Sequence, residues 1–391
     1  MLNVFLLGLT SLLADFSSEM VVPILPFFIQ AVGGAGVAIG LTFGIGDAVA
    51  SLIKVFSGHW ADKTKQYKLF VVLGYLFSAV AKFIYPLANS WSQIAIIRPV
   101  ERIGKGFRDA PRDAIVSESL NDHNRGRGFG IQRAMDSIGA IIGSVAVLVL
   151  FVVYQIPFRT IFLISAHLAI FAVVPILFVK VPRELKIANR RSISFSRLSS
   201  KVRTFIVIAT VFALANFSVA FFILKTQSAF TGLDERQALG LALLLYIFFG
   251  VFDAVFSEPA GALSDRIGRR RVIIMGYVVF SIVCLGFLWL SVGMHSNATE
   301  FAILLGLFAL YGIFKALIDA SQRAFVSDLS DADIRGTALG TFETATGLAA
   351  IPAGLVAGVL WNITPAYTFL FGFGLSLIAV LLLATSIREY K

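Results

Sequence analysis

The sequence predicts an all-α membrane protein: twelve transmembrane helices in two pseudo-symmetric six-helix bundles. Three observations carry this. Of 391 residues, 58% are hydrophobic and 14% charged, a balance far from soluble averages. Apolar runs approaching the roughly 20 residues a helix needs to cross a bilayer recur along the chain, among them 138–154, 161–179, 204–224 and 272–292. The second half of the chain also repeats the first in register.

Hydropathy places the twelve spans at 3–31, 37–58, 69–88, 92–119, 127–153, 159–180, 204–226, 237–259, 271–292, 299–326, 335–360 and 364–387. An even number of crossings puts both termini on one side. Lys63, Lys65, Lys68, Arg125, Arg127, Arg266, Arg269, Arg335 and the basic stretch 180–203 fall in loops on that side, and only Arg159 and Arg236 in loops on the other. Short cytoplasmic loops retain Lys and Arg, so both termini are expected in the cytoplasm and the chain in a cell inner membrane. This asymmetry accounts for the net charge of +10 with anionic lipid as the partner, and nucleic acid is not needed. The single cysteine, Cys284, lies in an apolar span, so no disulfide framework is implied.

The first span carries Asp15 and Glu19 on one helical face with Ser11 and Ser18. Acids at bilayer depth are costly, and they mark an ion or substrate path or a static pairing, here with Lys54, Lys82 or Arg102. The second span carries Asp47 and ends in the segment Gly58 to Lys65, read as a short loop containing Asp62. The fourth span reads RPVERIGKGFRDAPRD from Arg98 to Asp113. On an ideal helix Arg98, Glu101, Arg102, Lys105, Arg108, Asp109, Arg112 and Asp113 fall within an arc of about 140°. Such a face cannot meet hydrocarbon, so it must line a watery cavity or pair with neighbouring helices. The fifth span adds Arg133 and Asp136, with Gly139 and Gly143 spaced for close helix contact. Residues 181–203 are basic and Ser-rich and separate a bundle over 1–180 from one over 204–391.

The repeat shows at several places. Gly58 and Asp62 match Gly261 and Asp265. An offset of 210 residues matches Lys105 with Lys315, Asp109 with Asp319 and Gly130 with Gly340. Asp15-Phe16-Ser17 matches Asn216-Phe217-Ser218. Agreement in register implies two parallel, similarly folded halves. The second half carries fewer embedded charges, among them Lys315, Asp319, Arg323 and Glu343.

Over nearly its whole length the chain resembles the major facilitator superfamily. The segment Gly261 to Arg270 is close to that family's Gly-x-x-x-Asp-Arg-x-Gly-Arg-Arg loop, and Gly58 to Lys65 is a weaker copy lacking the second glycine. The fourth span resembles the family's Arg-x-x-Gln-Gly-x-Gly pattern, with Arg98 as the arginine, Glu101 in place of Gln and Arg102 in place of Gly. Gly130, Gly139 and Gly143 match part of the antiporter pattern, with Ser144 where the family has Pro. The resemblance implies a secondary transporter in which the fourth-span arginine is linked to proton transfer. It also implies gating loops built on Gly58, Asp62, Gly261, Asp265 and Arg266, whose acids would latch onto helix starts near Gly336 and Gly126.

Three function classes follow. A membrane enzyme lacks support, since no His-Glu-x-x-His, Cys/His spacing or phosphate-cradling Gly-rich loop occurs. A channel or scaffold fits poorly with two halves of unequal charge. A monomeric, cofactor-free secondary transporter fits best, coupled to protons through Asp15, Glu19, Asp47, Glu101 or Asp136. The rest of the charge network, Arg98, Arg102, Lys105, Arg108, Asp109, Arg112, Arg133, Asn216, Lys315, Asp319 and Glu343, would handle substrate. Export of a small amphipathic solute by proton antiport is the first reading. Proton-coupled uptake of an anionic solute clamped by the arginines is the second. A hard metal ion held by Asp15, Glu19 and Asp47 is a third.

Overall fold

The computed structural model describes residues 2–120, 125–180, 198–292, 296–331 and 334–386. Among these, ten helices are long and apolar enough to cross a membrane. Two further rods complete twelve: the first, α1 (Leu2–Glu19) with α2 (Leu25–Ala31), and the fourth, α5 (Trp91–Glu118). The first is broken at 20–24 and carries two acids, and the other carries the charged face. The remaining spans are α3 (Gly36–Thr64), α4 (Tyr67–Ile84), α6 (Arg125–Leu148) with a π-turn at Val149–Val153, and α7 (Phe158–Phe171) with α8 (Val174–Leu177). The second half contributes α9 (Ser200–Ala215) with α10 (Ala220–Ala229), α11 (Glu235–Ile267), α12 (Arg269–Val292), α13 (Asn297–Asp328), α14 (Arg335–Ile363) and α15 (Pro365–Ser386). Most of the expected linker, 181–197, and the basic tail lie outside the described residues.

The chain divides into two compact units, Met1–Gly34 with Ile45–Asn189, and Ala35–Gly44 with Arg190–Lys391. In the first, α1 packs on α6 and α7, and α4 on α5 and α7. In the second, α9 packs on α14 and α15, and α12 on α13 and α15. These are the same four span pairings, which is the structural counterpart of the sequence repeat. Within the second unit the start of α3 lies against α14: Gly36 N–H donates to Asn362 Oδ1 at 2.8 Å, and a Cβ on Gly40 would strike the Gly354 carbonyl.

Burial follows from lipid acting as solvent. Leu69, Leu73, Leu76, Phe77, Val80 and Ile84 form an exposed apolar stripe on α4, while the opposite face carries Tyr75, Ser78 and Lys82 and is continued by Tyr85 in the 3-10 turn that follows, all buried. The second unit is packed by rings. Phe222 alone meets Phe217, Phe280, Phe287, Tyr311 and Phe369 at centroid distances of 4.8–6.3 Å.

The segments expected as gating loops are helical. α3 continues through Gly58 and Asp62 to Thr64, and α11 through Gly261, Asp265 and Arg266 to Ile267. The chain turns later, where Lys65 adopts φ 61° and Gly268 φ 96°. The positive φ ends the helix, and it falls at matched positions of the two copies. Lys65 thus stands in a left-handed conformation that its counterpart fills with glycine.

Candidate functional site

Close helix approach buries Arg98, Glu101 and Arg108 of the fourth-span face and leaves its other charges partly exposed. A Cβ on either Gly74 or Gly104 would collide with the other's carbonyl, and one on Gly106 would meet Ala50 O at 2.7 Å. These glycines let α5 sink between α4 and α3, and the helix runs unbroken through Pro99 and Pro111. Ser57 Oγ and Ser78 Oγ then reach the Gly106 and Glu101 carbonyls at 2.8 and 3.0 Å.

Two ion pairs stand one turn apart on α5, and they differ in access. Arg98 Nη1 donates to Glu101 Oε2 at 2.7 Å with the two side chains 4% and 5% exposed. Tyr85 Oη donates to the same oxygen at 2.8 Å. Arg102 Nη2 pairs with Asp47 Oδ1 across to α3, with the side chains 21% and 45% exposed. The first pair is sealed inside the bundle. The second is open.

Further along α5 the network crosses to three other helices. Arg108 Nη1 donates to Ser78 Oγ at 3.1 Å, its guanidinium lies 4.5 Å above the Tyr75 ring, and Asp109 Oδ1 is 3.9 Å from its Nε. Arg112 Nη1 donates to Ser11 Oγ on α1 at 2.5 Å and Nη2 to Asp113 Oδ1 at 3.3 Å. With its amide oriented to suit, Gln132 of α6 accepts from Arg112 Nε at 2.6 Å. Lys82, 1% exposed, donates to Ser17 and Ser18 at 2.6 and 3.1 Å, in electrostatic reach of Glu101 and Asp15. Asp136 Oδ1 is buried without a hydrogen-bond partner among the described residues, in electrostatic reach of Asp15 and Arg112. Lys105 lies half-buried between Arg102 and Asp109, and Arg133 is exposed.

The expected residues are therefore partly brought together. Arg98, Glu101, Arg102, Asp47, Arg108 and Arg112 belong to one continuous polar system in the first unit. Asp15, Lys105 and Asp136 border it, while Glu19 packs its Cβ toward Gly143 of α6. The oxygen set Asp15, Glu19, Asp47 does not assemble as a metal site: Asp47 is held by Arg102, and no cluster of three His, Cys, Asp or Glu side chains exists among the described residues. Tyr75, Ser78, Tyr85 and Gln132 were not singled out from sequence. Tyr75 and Ser78 on α4 and Tyr85 in the 3-10 turn that follows it recur with Lys82 at spacings of three, four and three residues, a polar stripe at helical period opposite a lipid-facing one. That signal was present.

In the second unit, Lys315 Nζ pairs with Asp319 Oδ2 at 2.5 Å, both side chains 40% exposed. Arg323 Nη2 pairs with Glu343 Oε1 at 3.2 Å. Asn216 is exposed at the break between α9 and α10. At the α11–α12 turn, Arg269 bridges Asp265, at 3.1 Å, and Asp328, and Arg270 caps α15 through Leu383 O and Ala384 O. The first unit repeats this arrangement with other side chains. Asp62 accepts from Tyr67 Oη at 2.9 Å, and Lys68 caps the sixth span through Leu177 O and Val179 O at 2.7 and 3.0 Å. Cations at helix C-termini are favoured by the exposed carbonyls and the macrodipole.

The Major Facilitator Superfamily model matches residues 7–252 and 206–390. This chain belongs to that family. It is 45% identical over 384 residues to an uncharacterised MFS-type transporter of Methanocaldococcus jannaschii, covering 97% of this chain and 94% of the relative. A multidrug resistance protein MdtH of Yersinia enterocolitica is 28% identical over 37% of this chain and 36% of its own length. Among solved structures, the crystal structure of a variant of the nucleoside transporter NupG superposes with a TM-score of 0.84 at 15% identity, covering 99% of this chain and 100% of that one. At that identity the likeness shows the twelve-helix fold alone.

Proposed function

We propose that this MFS member is a secondary active transporter working by alternating access, exporting a small amphipathic solute in exchange for protons. One observation carries the reading: the same membrane-crossing helix holds a sealed pair, Arg98–Glu101, and an open pair, Arg102–Asp47, one turn away. A charged pair open to water at bilayer depth is where a proton can be taken up, since protonating Asp47 frees Arg102. The sealed pair holds the helix in place. Asp136, with its unpartnered oxygen, and Asp15 beside it are the second candidates for proton loading. The match to MdtH over about a third of the chain supports export.

Uptake of an anionic solute fits less well, because the arginines that would clamp it are already engaged by Glu101, Asp47, Ser78 and Ser11. Both termini lie in the cytoplasm of a cell inner membrane on this reading, and the protein acts as a monomer. Lys65 and Lys68, with Leu69 and Val72, line a shallow hollow of about 400 Å³ that suits an anionic lipid headgroup.

Proteoliposomes carrying an imposed pH gradient test the proposal. A panel of amphipathic aromatic solutes should include one that accumulates on the more acidic side, and Asp47→Asn should abolish the gradient dependence while leaving the folded protein intact. Flux indifferent to the gradient would reject proton coupling.

A further inference from the structure

Lys82 is a buried cation that the proposed exchange leaves unused. It sits in the last turn of α4, roughly 10 Å past the helix midpoint at 1.5 Å per residue and inside the half-thickness of about 15 Å of a hydrocarbon core. A lysine at that depth can snorkel to the headgroups on its flexible stem. Lys82 instead turns inward and is 1% exposed. Its Nζ donates to Ser17 Oγ and Ser18 Oγ at 2.6 and 3.1 Å, at the end of α1 where the first rod breaks. Ser17 is fixed in turn to α7: its hydroxyl donates to the Ser165 carbonyl and Ser165 Oγ donates to the Ser17 carbonyl, both at 2.7 Å.

The second unit builds the same junction without a cation. Gly74-Tyr75 of α4 and Gly276-Tyr277 of α12 match at an offset of 202 residues, which takes Lys82 to Cys284. The packing agrees with that register. Cys284 is fully buried, and a Cβ on Gly372 of α15 would meet both its Sγ, at 3.0 Å, and the ring of Phe217 at the break between α9 and α10. The first, third and sixth spans thus meet at the same place in both units, around a small apolar thiol in one and around a lysine in the other.

The partners of Lys82 suit two protonation states. Ser17 Oγ gives its proton to Ser165, so it accepts from Nζ in either state. Ser18 Oγ accepts from an ammonium and can donate its O–H to the lone pair of a neutral amine. The surrounding charges pull both ways. Glu101 of α5 and Asp15 of α1 favour the ammonium, and Arg98 and Arg108 of α5 oppose it. Glu19 follows Ser18 on α1, Tyr75 and Tyr85 stand on the same buried stripe as Lys82, and His167 of α7 meets Phe83 at a centroid distance of 5.1 Å.

We propose that Lys82 takes up and releases a proton in the transport cycle, at the junction of α4 with the break in the first rod. Release breaks one N–H bond at Nζ, leaves its electron pair on the amine and passes the proton to water; uptake is the reverse. The proposal rests on the proton-exchange reading and adds a basic group to its carboxylates.

The test compares apparent melting temperatures of the full-length protein in detergent, unaltered and as Lys82→Arg, between about pH 6 and about pH 9.5. Arginine keeps its charge throughout. Groups that titrate alike in both proteins drop out of the difference, so what remains reports Lys82 itself. The difference should change by several degrees across that range, and a difference flat with pH overturns the proposal. Should Lys82→Arg not fold, Lys82→Met takes its place and is read in the same way. In proteoliposomes with ethidium as the probe, Lys82→Arg should abolish accumulation on the acidic side and leave equilibration without a gradient unchanged. Gradient-driven accumulation that survives in Lys82→Arg overturns the coupling role of Lys82 and keeps the exchange reading. No gradient-driven flux of ethidium or of any solute in the aromatic panel by the unaltered protein retires the exchange reading, and the melting difference then decides alone whether Lys82 exchanges a proton.

Discussion

α5 and α13 occupy equivalent places in the two units and share Lys105/Lys315 and Asp109/Asp319, yet they use charge in opposite ways. On α5 the ionic groups are joined to Ser11, Ser78, Tyr85 and Gln132 on three neighbouring elements, and Arg98, Glu101 and Arg108 are nearly sealed. On the Lys315 face of α13 the charges include a local i,i+4 pair and a pair to α14, with side chains 19–61% exposed. The second unit gets its rigidity from rings instead, with Phe222 in contact with five aromatic neighbours. One ancestral plan, two means of fixing a helix: a polar web where charge must be held at depth, and aromatic packing where the charged face is left open.

The contrast breaks first if Glu101→Ala and Lys315→Ala cost the same. Removing Glu101 takes its closest ion-pair partner from the buried Arg98 and should destabilise by about 3–5 kcal/mol, whereas loss of the exposed Lys315 should cost at most about 1 kcal/mol. Denaturation in detergent, followed by tryptophan fluorescence, reads both. Phe222→Ala should cost a comparable 3–5 kcal/mol, the usual range for truncating a packed ring; a small loss would show that rings do not carry the second unit. Tyr85→Phe sharpens the picture, because it removes only the hydroxyl that donates to Glu101. About 1.5–3 kcal/mol is expected for a hydrogen bond to a charged group, and a neutral outcome would mean that Glu101 is satisfied by Arg98 alone. The smallest effect has the opposite sign. Lys65→Gly restores at φ 61° the residue that Gly268 supplies at the matching turn, and it should raise the melting temperature by a stability gain of no more than about 1 kcal/mol.

Much of this was legible beforehand. The span limits from hydropathy fall within a few residues of the helix ends for α5, α12 and α13, and the stripe on α5 was visible as an arc of charges. What escaped were the partners. Tyr85 and Gln132 are not ionisable near neutral pH and draw no notice in an apolar context, although the α4 stripe of Tyr75, Ser78, Lys82 and Tyr85 follows helical spacing. The gating segments were misplaced because the apolar spans end near 58 and 259, while the helices continue through the polar residues to Thr64 and Ile267 and end only at the positive φ that follows.

The sequence by itself determined the number of spans, the family and the duplication, because transfer of side chains into lipid is close to additive along the chain and needs no knowledge of neighbours. Only the tertiary structure decided which charges are sealed and which are open. That outcome turns on how closely α5 approaches α4 and α3 through Gly74, Gly104 and Gly106, and a difference of an ångström between two backbones is not written in the polarity of any single residue.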